Sequence, residues 1–286
     1  MRVALVGGDL RSARLGALLL REGHRVHSFA LERAELPAGI PKDGSLTACV
    51  YGADCVVLPC PVEKGGFLNA PLSALQLSIG EVLAALWPGQ TVFGGGFDAA
   101  CCQAALRLRL RPVDLLRQTD FVCGNAAITA EGAVGLLLQE SERCLLGARV
   151  LITGWGRIGR LLALRLQALG AAVSAAARNP RDRAMIRALG LRALDYPALE
   201  AAAGEFDCIV NTVPARVLSE STLCCISPEA VLLELASLPG GFDRELAENI
   251  GLRVVTAPGL PGKCAPLSAA LLTRDVMARC LAEMEE

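Results

Sequence analysis

Aromatic side chains make up only 4% of the 286 residues, and histidine occurs twice, against a hydrophobic content of 53%. The interior must therefore be aliphatic. Because both histidines fall in "GHRVH", at His24 and His27, no imidazole is available as an acid–base group elsewhere in the chain. An excess of one charge is also missing. The 28 basic and 29 acidic residues leave a net charge of −1, which removes the electrostatic pull toward nucleic acid or an anionic membrane and leaves a small molecule as the default partner. No C-x-x-C spacing occurs among the 12 cysteines. Cys49, Cys55, Cys60, Cys123, Cys208 and Cys264 are read in or beside apolar strands, and Cys101/Cys102 and Cys224/Cys225 are adjacent pairs that chelate poorly. Reduced, metal-free cysteines acting as small hydrophobes are the expectation. No apolar run reads as long enough to span a bilayer, and "MRVALVGGD" has neither the apolar region nor the cleavage site of a leader, so a cytoplasmic protein is expected.

What is present is a regular alternation. Apolar strands at 2–7, 25–29, 54–60 and 90–94 are separated by helical patterns at 10–22, 72–86 and 98–105, the order of an open α/β unit. Arg107, Arg109 and Arg111 alternate with leucines and predict a solvated edge strand. This first domain closes near residue 120. A helix of roughly 18 residues through "NAAITAEGAVGLLLQESERCLLG", ending at Gly147, is expected to link the domains. The alternation then repeats with strands at 149–153, 172–177, 207–211, 231–235 and 252–255 and helices at 157–169, 181–189, near 228 and at 243–249. A final helix from about 266 is long enough to cross back to the first domain. The expectation is two doubly wound, Rossmann-like α/β domains with parallel sheets, residues 1–120 and 121–265, joined by long interdomain helices.

Two glycine turns compete for a nucleotide. "VLITGWGRIGRLLALRLQALGAAVSAAARN" places Gly154, Gly156 and Gly159 between a buried strand and an amphipathic helix, where a pyrophosphate can meet a helix N-terminus. Gly154, Trp155, Gly156, Arg157, Ile158 and Gly159 are the cofactor contacts this predicts. At the end of the next strand an acidic residue would bind the ribose hydroxyls of NAD, but Arg178 and Asn179 stand there, which favours NADP(H) over NAD(H). The N-terminal "VGGDLR" lacks the third glycine and any such reader, so the first domain is assigned to substrate.

At this point the chain resembles the family of dipicolinate synthase A subunits. The motifs are "ALVGGDLR", "NAAITAEGA", "GWGRIGRLLALRLQALGA", "NTVPARVL", "LASLPGGFD" and "APGLPGKCAP". The resemblance implies a nicotinamide-linked oxidoreductase acting on a CH–CH bond, which takes a dihydrodipicolinate-level ring to pyridine-2,6-dicarboxylate. It also implies partnership with a flavoprotein-like B subunit, and the mother cell of a sporulating bacterium as location. It places Thr212, Val213 and Pro214 against the cofactor. A dicarboxylate substrate calls for cations and amide donors. Arg11, Asn125 and Thr129 are the substrate-binding candidates, with Asn125 and Thr129 alternatively capping the linking helix. Lys263, in a rigid loop, and Glu131, as proton acceptor or as a first-turn helix stabiliser, are the catalytic ones. The 2-hydroxyacid dehydrogenases of similar architecture need a histidine that this chain does not have there.

Overall fold

The computed structural model describes residues 1–285, which divide into two compact units, Met1–Asn125 with the segment from Pro261 onward, and Ala126–Leu260. In the first, β1 (Arg2–Val6), α1 (Leu10–Arg21), β2 (Arg25–Phe29), α2 (Leu46–Val50) and β3 (Cys55–Val57) lead to a small antiparallel hairpin, β4 (Glu63–Lys64) and β5 (Phe67–Leu68). Then come α3 (Ile79–Ala84), β6 (Thr91–Gly94), α4 (Ala99–Arg107) and β7 (Arg111–Asp114). The main sheet has the order β2-β1-β3-β6-β7, with every pairing parallel. Its direction of winding reverses between β1 and β3, so the crevice beyond the carboxyl ends of those strands is the switch point.

Successive side chains of a strand face opposite ways, and here both ways lead to core. Val3 and Leu5 pack with Leu15 and Leu19 of α1, while Ala4 and Val6 pack with Val82 and Leu83 of α3.

A 22-residue helix, α5 (Thr119–Glu140), begins in the first unit and continues into the second. The second unit then runs β8 (Arg149–Thr153), α6 (Arg157–Ala168), β9 (Ala172–Ala176), α7 (Pro180–Ala188), β10 (Arg192–Leu194), α8 (Leu199–Ala202), β11 (Cys208–Asn211), α9 (Glu220–Cys224), β12 (Val231–Glu234), α10 (Arg244–Asn249) and β13 (Arg253–Thr256). The six-stranded sheet has the order β10-β9-β8-β11-β12-β13, all parallel. That is the 3-2-1-4-5-6 order of dinucleotide-binding folds, with its switch point between β8 and β11. Two helices, α11 (Leu260–Cys264) and α12 (Pro266–Glu285), return the chain to the first unit, where α12 packs along α1.

Several local expectations are corrected. The helix expected over 72–86 is only Ile79–Ala84, because Ser78 and Glu81 form a capping box that starts it there. The arginine alternation is not one strand: α4 runs through Arg107, Arg109 turns with φ of 58°, and β7 starts at Arg111 on the sheet edge. The linking helix starts earlier, at Thr119, and stops at Glu140, leaving "SERCLLG" irregular. By length and composition α5 also reaches membrane-spanning size, which the sequence was not expected to contain. Its Ala130, Ala133 and Leu137 are part of the core of the second unit, and 39% of its apolar window is buried. The helix expected near 228 forms earlier, over Glu220–Cys224, where Ser219 caps it. Cys49, Cys123 and Cys264 lie on helices rather than strands, and all 12 cysteines are free.

Candidate functional site

The two glycine turns differ at the helix N-terminus that follows each. Most helices here close their first turn with a side chain: Asp9 on α1, Ser45 on α2, Ser78 on α3, Asp98 on α4, Asn179 on α7, Ser219 on α9 and Asp243 on α10. On α6 the N-cap is Gly156, which has no side chain to offer. The first amides of a 12-residue helix are thus left without a side-chain acceptor, together with the positive end of its dipole. A Cβ added to Gly156 would meet nothing within 4 Å, so the backbone there is open to a ligand.

The other two glycines do different work. Gly154 has φ of +99°, and a Cβ on it would lie 2.5 Å from Thr212 Oγ1 and 2.7 Å from Val213 Cγ2. A Cβ on Gly159 would lie 2.3 Å from the Gly154 carbonyl oxygen. The turn is therefore compact on the protein side and bare on the other, which fits a pyrophosphate. Trp155 is buried, with its indole N–H lacking a hydrogen-bond partner, and Arg160 donates from Nε to the Trp155 carbonyl at 2.8 Å. Arg157 is exposed at the first position of α6, and Ile158 is half-buried.

Beyond β9, Arg178 is exposed. Asn179 is occupied as the cap of α7, accepting from Arg181 N at 2.9 Å. The Arg183 guanidinium donates to the carbonyls of Ala177 and Arg178, at 2.8 Å each, and so braces the loop that carries Arg178. On the other side of the switch point Thr212 Oγ1 donates to the Thr153 carbonyl at 2.8 Å, and Pro214 is exposed.

In the first unit the corresponding position is filled. Asp9 caps α1 and also holds the Arg11 guanidinium, while Arg11 Nη2 donates to the Cys60 carbonyl at 2.6 Å. A carboxylate fixed at that helix end repels a phosphate, so this turn is unsuited to a nucleotide. Around the pair lies a cleft at the switch point, to which Ser12, Asn69, Asn125 and Thr273 contribute polar side chains. Burial pulls the Arg11 guanidinium down, but hydrogen bonding and charge from Asp9 outweigh it and leave the group raised. Burial also pushes the Cys60 thiol up to about 11, against the opposing charge of Arg11, so the cleft holds a thiol and not a thiolate.

The structure sorts the remaining candidates. Arg11 and Asn125 line the same cleft. Lys263 is on α11 rather than in a loop, and it is exposed. Its neighbour Gly262 packs on Asp9, where a Cβ would come within 2.4 Å of Oδ2. Asn125 and Thr129 do not cap a helix, and Glu131 is not in a first turn, because all three lie inside α5. Thr129 is buried, whereas Glu131 is largely exposed and ion-paired with Arg165 at 3.2 Å. Sequence reasoning missed Ser12, Asn69 and Thr273, which carry no local pattern. It also missed Asn211 and Glu234, although a glutamate ending the apolar run "AVLLE" was a visible signal.

Fold order, the glycine turn and the uncapped α6 define the class of the second unit: a nicotinamide-dinucleotide-binding domain of the dehydrogenase type. Residues 138–236 match the NAD-binding domain family of D-isomer specific 2-hydroxyacid dehydrogenases. A narrower kinship comes with the other unit. Residues 2–116 match the N-terminal domain family of the dipicolinate synthase A subunit. The dipicolinate synthase A subunit of Bacillus subtilis (strain 168) is 27% identical over 100% of this chain and 97% of its own. The crystal structure of the corresponding protein from Bacillus halodurans superposes with a TM-score of 0.84 at 25% identity, covering 98% of this chain and 97% of that one. The Bacillus subtilis crystal structure gives 0.82 at 27%, covering 100% and 97%. The resemblance to the A subunit of dipicolinate synthase thus holds over the whole chain.

Proposed function

We propose that this chain oxidises a dihydrodipicolinate-level ring to pyridine-2,6-dicarboxylate with NADP, as the A component of a synthase whose B subunit is flavoprotein-like. The observation that supports this best is the contrast between the two helix ends. The end of α6 is open to an anion, and the end of α1 is filled by a carboxylate that carries an arginine. One unit therefore offers a bare helix end to a dinucleotide, and the other offers an arginine held beside its switch-point cleft.

When bound, oxidised nicotinamide supplies a hydride acceptor, so the ring gives up a hydride and a proton and becomes aromatic. In the second unit the amides at Arg157 and Ile158, at the N-terminus of α6, would hold the pyrophosphate, and Thr212, Val213 and Pro214 would lie against the adenosine or nicotinamide side of the cofactor. Arg178 takes the 2′-phosphate. In the first unit the outer face of the Arg11 guanidinium and the Asn125 amide hold one substrate carboxylate. Lys263, one residue from the glycine that packs on Asp9, takes the other. Thr129 and Glu131, on the part of α5 that belongs to the second unit, are the further candidates for substrate orientation and proton acceptance. Glu131 draws the least support, since its carboxylate is already paired with Arg165.

The test uses the purified chain with and without a B subunit, supplied with the cyclic condensation product of pyruvate and aspartate semialdehyde and either NADP or NAD. Dipicolinate formed by the chain alone with NADP supports the enzyme reading. If only the pair is active, hydride transfer belongs to the complex. If neither forms dipicolinate while the chain still binds NADP, the substrate assignment fails and the cofactor assignment stands.

A further inference from the structure

The strand β12 reads Val-Leu-Leu-Glu, and Glu234 is only 8% exposed at its end. A carboxylate withdrawn from water is costly unless donors surround it. This one has three. Asn211 Nδ2 donates to Oε1 at 2.7 Å, the Ala236 amide donates to the same oxygen at 2.8 Å, and the Gly241 amide donates to Oε2 at 2.8 Å. All three are N–H groups, so the surroundings are built for an acceptor-only side chain.

Asn211 carries the connection on. It is in register with Glu234 on one side and with Thr153 on the other. Its Oδ1 accepts from Thr153 Oγ1 at 2.6 Å and from the Val213 amide at 3.1 Å, while Nδ2 also donates to the Val213 carbonyl at 2.9 Å. Both donors and both acceptor positions of the amide are used. This fixes Thr212 and Val213, the two residues that lie over Gly154. On the far side, a Cβ on Gly241 would come within 2.3 Å of the Asn211 side chain, so the 235–241 loop is held tightly to the same pair. The Gly241 carbonyl accepts from Val217 and Leu218, at 2.8 and 3.0 Å, which ties in the segment after Pro214.

We infer that Glu234 is a positioning residue for the dinucleotide: through Asn211 it fixes the 212–214 segment, and through its backbone donors the 235–241 loop, around the glycine turn. The inference rests on the reading that this turn holds the dinucleotide. The two sequence stretches "NTVP" and "LASLPGG" are thereby one device, joined by a single carboxylate.

Glu234→Gln replaces one acceptor oxygen by an NH2 that faces N–H donors. In the full-length chain carrying Trp87→Phe, Trp155 is the sole tryptophan and reports NADPH binding by energy transfer to the nicotinamide. Glu234→Gln is expected to raise the NADPH Kd about tenfold, worth about 1.4 kcal/mol, and to speed amide exchange at Ala236 and Gly241. Ile209→Val, which trims the core of β11, is expected to lower the melting temperature and leave Kd unchanged, so stability loss alone does not mimic the effect. An unchanged Kd in Glu234→Gln with faster exchange at Gly241 overturns the proposal. Should Glu234→Gln not fold, Thr153→Val removes only the hydroxyl that Asn211 accepts. A Kd raised severalfold there supports the proposal, and an unchanged one overturns it. If the parent chain binds no dinucleotide, the reading of the turn fails, and the positioning role falls with it.

Discussion

The Arg11 guanidinium grips the Asp9 carboxylate: Nε stands 2.9 and 3.1 Å from its two oxygens, and Nη2 stands 2.9 Å from one of them. The side chains are 14% and 26% exposed, so the pair is screened only in part. Arg11→Ala is expected to cost about 1–2 kcal/mol in a thermal or urea melt, less than a fully buried pair would, and to weaken pyridine-2,6-dicarboxylate binding more than tenfold by calorimetry. Asp9→Asn keeps an N-cap oxygen but frees the arginine charge. It is expected to tighten the dicarboxylate severalfold, and unchanged binding in Arg11→Ala would remove Arg11 from the substrate assignment.

Gly156 and Gly159 separate ligand space from packing space. Gly156→Ala has room for its methyl group and a φ of −78° that any residue adopts, so its melting temperature should stay within a few degrees of the parent. Its dinucleotide affinity should fall at least tenfold. Gly159→Ala drives a methyl into the Gly154 carbonyl and is expected to cost about 1–3 kcal/mol of stability as well. A Gly156→Ala variant with parental affinity would show that no anion sits there.

In the proposed NADP reading, Arg178 is the residue that meets the 2′-phosphate. Loss of a charge-assisted contact to a 2′-phosphate is worth about 1.5–3 kcal/mol. Arg178→Ala is therefore expected to raise the NADP Kd more than tenfold while leaving the NAD Kd within about twofold. Equal losses for both would mean that the arginine supports the loop and does not read the phosphate.

Asp207 gives the second unit a dependence on acid. The guanidinium of Arg149 donates to it at 3.0 Å and the Arg149 amide donates at 2.8 Å, which holds its carboxyl below the usual aspartate value. For a depressed carboxyl the stabilisation is complete above the unfolded value, about 3.9, and disappears as the pH falls through the folded one. Melts of Asp207→Asn and the parent should differ by at most about 1 kcal/mol near pH 7 and converge at the acid end. A gap that widens toward low pH would contradict the assignment.

The sheets and the glycine turn were legible because parallel strands buried on both faces must be apolar and because Gly154 and Gly159 of the G-x-G-x-x-G spacing have a steric basis. Even "AVSAA", poor in β-branched residues, forms a strand, since β9 lies between two others and is covered on both sides. Three features were not legible. The start of α3 depends on a capping box, and local apolar spacing hid it. Lys263 was placed in a loop by its flanking prolines and glycines, yet α11 forms one turn there. The Glu234–Asn211 pair depends on the register of β11 with β12, and pairing partners are not written in either strand alone.

The first unit is discontinuous: Ala270, Val276, Met277 and Cys280 of α12 are part of the same core cluster as Val3, Leu5 and Leu15. The second unit ends at Leu260, and those residues follow within about twenty positions, at the far end of the sequence from the sheet they cover. The N-terminal sheet must wait, its α1 face uncovered, until the end of translation. The half of the chain made first is thereby among the last parts to be completed.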